Sequence, residues 1–221
     1  MTVNPIGILG GSFDPIHLAH LRTALEVRDM LDLSELRFFP CGQPPHRTPP
    51  VATAQQRVAM LQLAIAGEPG LIVDEREIQR EGPCYTFFTL QSLRVEFPAV
   101  PLCLIIGADQ FVNFDTWHRW QEILGLAHLV VVYRPGWNPT GQIGNAELAR
   151  LVQEHTTIEA HNLRDVAGGQ LFFAQVSQFD LSSSRIRALL RQGKSVRYLV
   201  PDAVYDYIRS QNLYNKAAGG L

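Results

Sequence analysis

The sequence is short of cysteine, of net charge and of long apolar runs, and each shortage excludes a class of protein. Its three cysteines, Cys41, Cys84 and Cys103, show no CxxC spacing. Neither a disulfide framework nor a zinc ribbon is therefore written into the chain, and the thiols read as reduced, with burial their ordinary fate. Lys and Arg number 19 against 21 Asp and Glu, a formal charge of −2. That is too little of either sign to advertise nucleic acid as a partner. No window approaches the roughly 20 apolar residues of a membrane span. The start MTVNPIGILGG also lacks the basic segment and apolar stretch of a secretory leader. The expectation is a cytoplasmic protein with neither nucleic acid nor membrane as partner. Whether copies associate as a homo-oligomer is left open by the sequence.

What is present is enough apolar material for a core. The chain has 221 residues, 46% of them hydrophobic, which suits one domain over residues 1–214 followed by a flexible tail at 215–221. Short apolar runs alternate with helical patterns. IGIL at 6–9, LRFFP at 36–40, LIVD at 71–74, LCLII at 102–106, LVVVY at 129–133 and residues 171–176 read as strands. Helices are predicted over 17–31, 53–66, 86–96, 146–154, 184–191 and 202–211, the second opened by the capping-box spacing of Thr53 and Gln56. Strand and helix in alternation predict an α/β fold, a doubly wound Rossmann-like parallel sheet with a C-terminal helical segment.

In such a sheet, ligands bind beyond the carboxyl ends of the strands. The polar residues placed there are Gly10 to His20, the Gly107-Ala-Asp109 turn and the Arg134 turn. Gly10 and Gly11 let a ligand approach the backbone, and the helix that follows offers free N–H groups and a positive dipole end. His17 and His20, three residues apart, share one face of its first turn. With no HExxH pattern in the sequence, two histidines at a helix start suit phosphate oxygens better than a metal ion. Downstream, Ser182, Ser183 and Ser184 precede an amphipathic run containing Arg187. Such a triplet is a helix cap, and hydroxyls, open N–H groups and an arginine one turn later also make a polyphosphate cradle. Two other motifs fail. The GxGxxG spacing is absent, and Gly193-Lys194-Ser195 has Ala188 where a phosphate loop needs glycine, so Gly193 reads as a helix stop.

Residues 10–20 and 181–187 together resemble the nucleotidyltransferase superfamily that carries the (H/T)xGH and ISSTxxR signatures, here HLAH and LSSSRIR. PPHR at 44–47, YTFFTL at 85–90, LIIGAD at 104–109, TWHRW at 116–120 and RPG at 134–136 narrow the resemblance to the bacterial nicotinate-nucleotide adenylyltransferases. Two positions depart from the family pattern. Ala19 stands where the family has Gly, adding one methyl near the phosphate approach, and Ser184 replaces a Thr while keeping the hydroxyl.

The resemblance implies attack by the phosphate of nicotinate mononucleotide on the α-phosphorus of ATP, with loss of pyrophosphate. It places His17, His20 and Arg187 in catalysis. ATP contacts fall to Gly10, Gly11, Ser12, Phe13, Gly107, Asp109, Ser182, Ser183 and Ser184. Acceptor contacts fall to His46, Arg47, Tyr85, Thr86, Trp117 and Arg134, with Trp117 stacking on the pyridine and the Tyr85-Thr86 turn binding its carboxylate. Trp120 is expected in the core. Mg²⁺ is expected with ATP, held mostly by phosphates and water rather than a dedicated protein site. The alternatives are another phosphorylated acceptor, nicotinamide mononucleotide or pantetheine phosphate, and a non-catalytic nucleotide-binding sensor.

Overall fold

A computed structural model describes residues 3–42, 49–137, 143–177 and 179–215. The elements run β1 (Ile6–Gly11), α1 (Leu18–Leu31), β2 (Glu35–Pro40), α2 (Ala54–Ile65), β3 (Leu71–Val73), α3 (Arg76–Gln79), α4 (Thr86–Glu96), β4 (Leu102–Gly107), α5 (Ala108–Phe111), α6 (Trp120–Leu126), β5 (His128–Tyr133), α7 (Ala146–His155), β6 (Thr156–Thr157), β7 (Leu171–Gln175), α8 (Ser183–Arg191) and α9 (Asp202–Ser210). The strands form one sheet in the order β3-β2-β1-β4-β5-β7-β6. Every pairing is parallel. Chain order reverses between β1 and β4, which creates the crevice where an open α/β sheet binds its ligands.

The apolar strand runs exist because both faces of this sheet are covered. Along β4 the alternation is visible: Leu102, Leu104 and Ile106 pack into one buried cluster, Cys103 and Ile105 into the other. Burial pushes the Cys103 thiol up to about 12, so it stays protonated and acts as a small hydrophobe.

Local chemistry fixes the helix ends. The Thr53 hydroxyl accepts from the Gln56 N–H at 3.2 Å, and Gln56 Oε1 accepts from the Thr53 N–H at 2.9 Å, completing the capping box. Gly193, at φ +69°, stops α8. Its N–H donates to the Leu190 carbonyl, and that of Lys194 donates to Leu189. This is the Schellman pattern of a helix end, and it accounts for Gly193-Lys194 without a phosphate. Unforeseen were the short elements α3, α5, α6 and β6. The helix expected from residue 17 begins at Leu18, with His17 as its cap. Among the described residues no helix is long and apolar enough to cross a membrane. Residues 216–221 of the expected tail lie outside the described residues.

Candidate active site

The site begins where β1 ends. Gly10 has open space where a side chain would stand, while a Cβ on Gly11 would meet the Phe13 ring at 2.9 Å. Gly10 therefore leaves room for a ligand, and Gly11 makes room for Phe13. Phe13 is 2% exposed and takes the left-handed conformation at φ +48°. Its ring meets the His20 ring edge-on, with centroids 5.2 Å apart.

His17 and His20 stack at 3.7 Å with an interplanar angle of 18°. The three-residue spacing does bring the imidazoles together, but as a stacked pair embedded in protein. The Nδ1 atoms of both rings are buried and lack a hydrogen-bond partner. Burial lowers the His17 pKa to about 4. Burial, reinforced by His17, holds His20 well below the ordinary imidazole value. Both rings are neutral at pH 7, and both present nitrogen atoms awaiting a partner.

The sign of the acid response follows. As pH falls through 6.5 the unfolded chain protonates its histidines, while folded His17 does not until about 4. The unfolded state binds more protons in that window, so stability falls with pH. His17 alone accounts for roughly 2 kcal/mol at pH 5. Urea unfolding at pH 7 and pH 5 should show at least this loss, and His17→Gln should remove the His17 share while the share of buried His20 remains.

The C-terminal elements close over the same turn. α8 is capped by Ser182, whose hydroxyl accepts from the Arg185 N–H. The Ser183 and Ser184 N–H groups have no partner among the described residues, so the helix start presents open donors. The Ser183 hydroxyl is already committed, donating to the Pro15 carbonyl at 2.9 Å. Arg187 donates from Nη1 to the Asp14 carbonyl at 2.6 Å and from Nη2 to Ser184 Oγ at 3.2 Å. At the start of α1 one donor is likewise used: the Leu18 N–H bonds the Leu199 carbonyl at 3.0 Å, while the Ala19 N–H has no partner among the described residues.

Asp14 ties these pieces together. Buried to 3% exposure, its carboxylate accepts from the Val51 and Ala52 N–H groups and from the Tyr214 hydroxyl at 2.7 Å. Burial, strengthened by that bond, pushes the Tyr214 hydroxyl pKa upward, so it remains a donor. Tyr214→Phe removes one donor to a buried carboxylate and should cost about 1.5–3 kcal/mol, read as a lower urea midpoint. Sequence reasoning missed Asp14 and Tyr214. Asp14 lay inside the glycine motif but reads locally as a pre-proline turn residue, and the partnership spans 200 positions.

Beside this cluster, between the ends of β1 and β4, is a cavity of about 500 Å³. Gly10, Gly11 and Ser12 form the wall it shares with the histidine turn, and Tyr85, Thr86 and Trp117 line it elsewhere. Trp117 is half-buried, its ring 5.3 Å from that of Phe114, whereas Trp120 is core at 6% exposure. The N–H groups of Thr86 and Phe87, first in α4, have no partner among the described residues. Tyr85 packs on His118 at 4.4 Å, and the Arg119 guanidinium sits 3.8 Å over Phe87. Those contacts pin the turn carrying Trp117 to the start of α4. Sequence reasoning missed His118, and also Glu77, a buried carboxyl on the cavity wall that accepts from the Thr89 hydroxyl at 2.7 Å. Burial raises its pKa. Cys41 and Cys84, expected as buried packing, are only partly buried and line the cavity too.

The remaining predicted positions divide. Asp109 and Arg134 are exposed at the ends of β4 and β5 and do not line the cavity. Gly107 is the cap of α5, with Asp109 folded back over it: a Cβ there would meet Asp109 Oδ1 at 2.5 Å. His46 and Arg47 lie outside the described residues. No group of three or more metal-ligating side chains occurs among the described residues.

Unpaired imidazole nitrogens, three helix starts with open donors and an adjoining cavity at the sheet's switch point are the features of a nucleotide-handling α/β protein. Residues 8–189 match the model of the cytidylyltransferase-like family. A probable nicotinate-nucleotide adenylyltransferase of Aeromonas hydrophila subsp. hydrophila is 48% identical over 96% of this chain and 98% of that protein. A protein of the same name from Methylococcus capsulatus is 47% identical over 96% of this chain and 100% of its own. Among solved structures, a Plasmodium falciparum nicotinic acid mononucleotide adenylyltransferase complexed with NaAD is similar with a TM-score of 0.71 at 16% identity, over 96% of this chain and 97% of that one. The chain belongs to the cytidylyltransferase-like family, in the branch of nicotinate-nucleotide adenylyltransferases.

Proposed function

We propose that the protein transfers the adenylyl group of ATP to nicotinate mononucleotide, forming nicotinate adenine dinucleotide and pyrophosphate. The observation that carries this reading is the pair of buried, unpartnered imidazole nitrogens beside a cavity lined by Trp117 and the Thr86 helix start. The acceptor phosphate attacks the α-phosphorus in line and pyrophosphate leaves, so the protein's task is positioning and charge stabilisation. A phosphate arriving against the neutral histidines opposes their desolvation and draws a proton onto them. His20 then stabilises the charge developing on the α-phosphate, and His17 serves the neighbouring phosphates. The open N–H groups of Ser183 and Ser184, with Arg187, hold the leaving pyrophosphate. Gly107 and Asp109 face the nucleoside side of ATP. Residues 1–214 act as one catalytic unit, because Arg187 and Tyr214 both close on Asp14.

On the acceptor side, Trp117 stacks on the pyridine and the Thr86 and Phe87 N–H groups receive its carboxylate, preferring the acid to the neutral amide. Arg47 and Arg134 neutralise the acceptor phosphate or span both substrates, and His46 joins the acceptor contacts. Mg²⁺ would come with ATP, bound mostly through phosphates and water, and would supply charge neutralisation; Asp109 would hold one of its waters. The chain acts in the cytoplasm.

An acceptor panel tests the reading. With Mg²⁺-ATP, pyrophosphate release should be fastest with nicotinate mononucleotide, slower with nicotinamide mononucleotide and absent with pantetheine phosphate. ATP binding without pyrophosphate release for any acceptor would make the protein a nucleotide sensor instead.

A further inference from the structure

Among the described residues Arg57 is the largest fully buried side chain, 1% exposed, in the first turns of α2. Its Nη1 donates to the Ser12 carbonyl and its Nη2 to the Cys41 carbonyl, each at 2.7 Å. Its Nε is buried without a partner, and among the described residues no carboxylate comes within 4.0 Å of it. A guanidinium held by carbonyls makes no direct ion pair, and its charge remains available to an anion in the site.

The two carbonyls it holds belong to residues that line the cavity, at the ends of the neighbouring strands β1 and β2. In a trans peptide the carbonyl of one residue and the N–H of the next point in opposite directions. Drawing the Ser12 and Cys41 carbonyls toward the core therefore turns the Phe13 and Gly42 N–H groups away from it. Neither N–H has a partner among the described residues. Phe13 also holds a left-handed backbone that a residue with a side chain adopts only when its surroundings enforce it. The grip of Arg57 on the preceding carbonyl is such an enforcement.

We propose that Arg57 is a positioning residue for the phosphate chemistry: it aims the Phe13 and Gly42 N–H groups at substrate phosphate and places an unpaired positive charge beneath them. This rests on the adenylyl-transfer reading and adds to it a residue that never touches substrate. Nothing in the sequence marks Arg57, and its burial is visible only once α2 packs under the strand ends.

The test compares the wild type with Arg57→Met, Arg57→Lys and Met60→Ala, the last opening a cavity one turn further along the same helix. Steady-state pyrophosphate release with Mg²⁺-ATP and nicotinate mononucleotide is measured beside thermal melting. Arg57→Met should lower kcat by about 100-fold and raise the KM for ATP. Arg57→Lys, which keeps the charge but lacks the planar fork, should recover about tenfold of that loss. Met60→Ala should lower Tm while leaving kcat/KM within about twofold of wild type. A folded Arg57→Met enzyme with kcat within about threefold of wild type would overturn the proposal. If Arg57→Met does not fold, Arg57→Lys decides: a fall of about tenfold in kcat at native Tm supports the proposal, and wild-type kinetics overturn it. A wild-type protein that releases no pyrophosphate would instead remove the adenylyl-transfer reading itself.

Discussion

His20→Ala should reduce turnover by about 10²–10³-fold, the usual cost of removing one group aimed at a developing oxyanion. The loss should fall on kcat rather than on the KM of either substrate, because the imidazole is neutral and unpartnered before phosphate arrives and gains its proton as negative charge accumulates. Folding should change little. His20 contributes no hydrogen bond through its Nδ1 to the free protein. Near-native circular dichroism and melting with collapsed turnover is the expected pair of results. Turnover within about threefold of wild type would take His20 out of the mechanism.

Trp117→Ala is the second large effect, and it should fall on the other substrate. The indole is half-buried on the cavity wall, braced by Phe114 and by the pinned turn that follows. Stacking of an aromatic base on such a face is worth about 1–3 kcal/mol, so the KM for nicotinate mononucleotide should rise roughly 5- to 150-fold. The KM for ATP should stay near its wild-type value, because the histidine turn and α8 are assembled from other elements. Initial-rate measurements with each substrate varied in turn separate the two. Equal weakening of both would make Trp117 a support of the fold.

The contrast between these residues shows what a sequence displays and what it hides. The sheet was legible because a strand covered on both faces is mostly apolar, and β1, β4 and β5 contain short runs of that kind bounded by glycine or proline. β6 was not, since two threonines have no period to detect. His17, His20, Ser182 to Ser184 and Trp117 stood out because residues with chemistry clustered at helix starts or strand ends. Their state did not: stacking, burial and the resulting loss of charge arise from contacts between α1, the β1 turn and the C-terminal segment.

Asp14, Arg57 and Tyr214 were hidden for a related reason. Each works by holding backbone or side-chain groups distant in sequence, and nothing local marks a helix arginine or a near-terminal tyrosine as buried. The resemblance to a known family named the residues expected at the substrates. It is the folded chain that identifies the groups setting their geometry.

The protein transfers the adenylyl group of ATP, with its α-phosphorus, to the phosphate of nicotinate mononucleotide. The most direct measurement follows ATP labelled at the α-phosphorus through a reaction with the purified protein, Mg²⁺ and that acceptor. All transferred label should appear in nicotinate adenine dinucleotide, with one unlabelled pyrophosphate released for each. Label recovered as AMP, or remaining in ATP while the nucleotide stays bound, would contradict it.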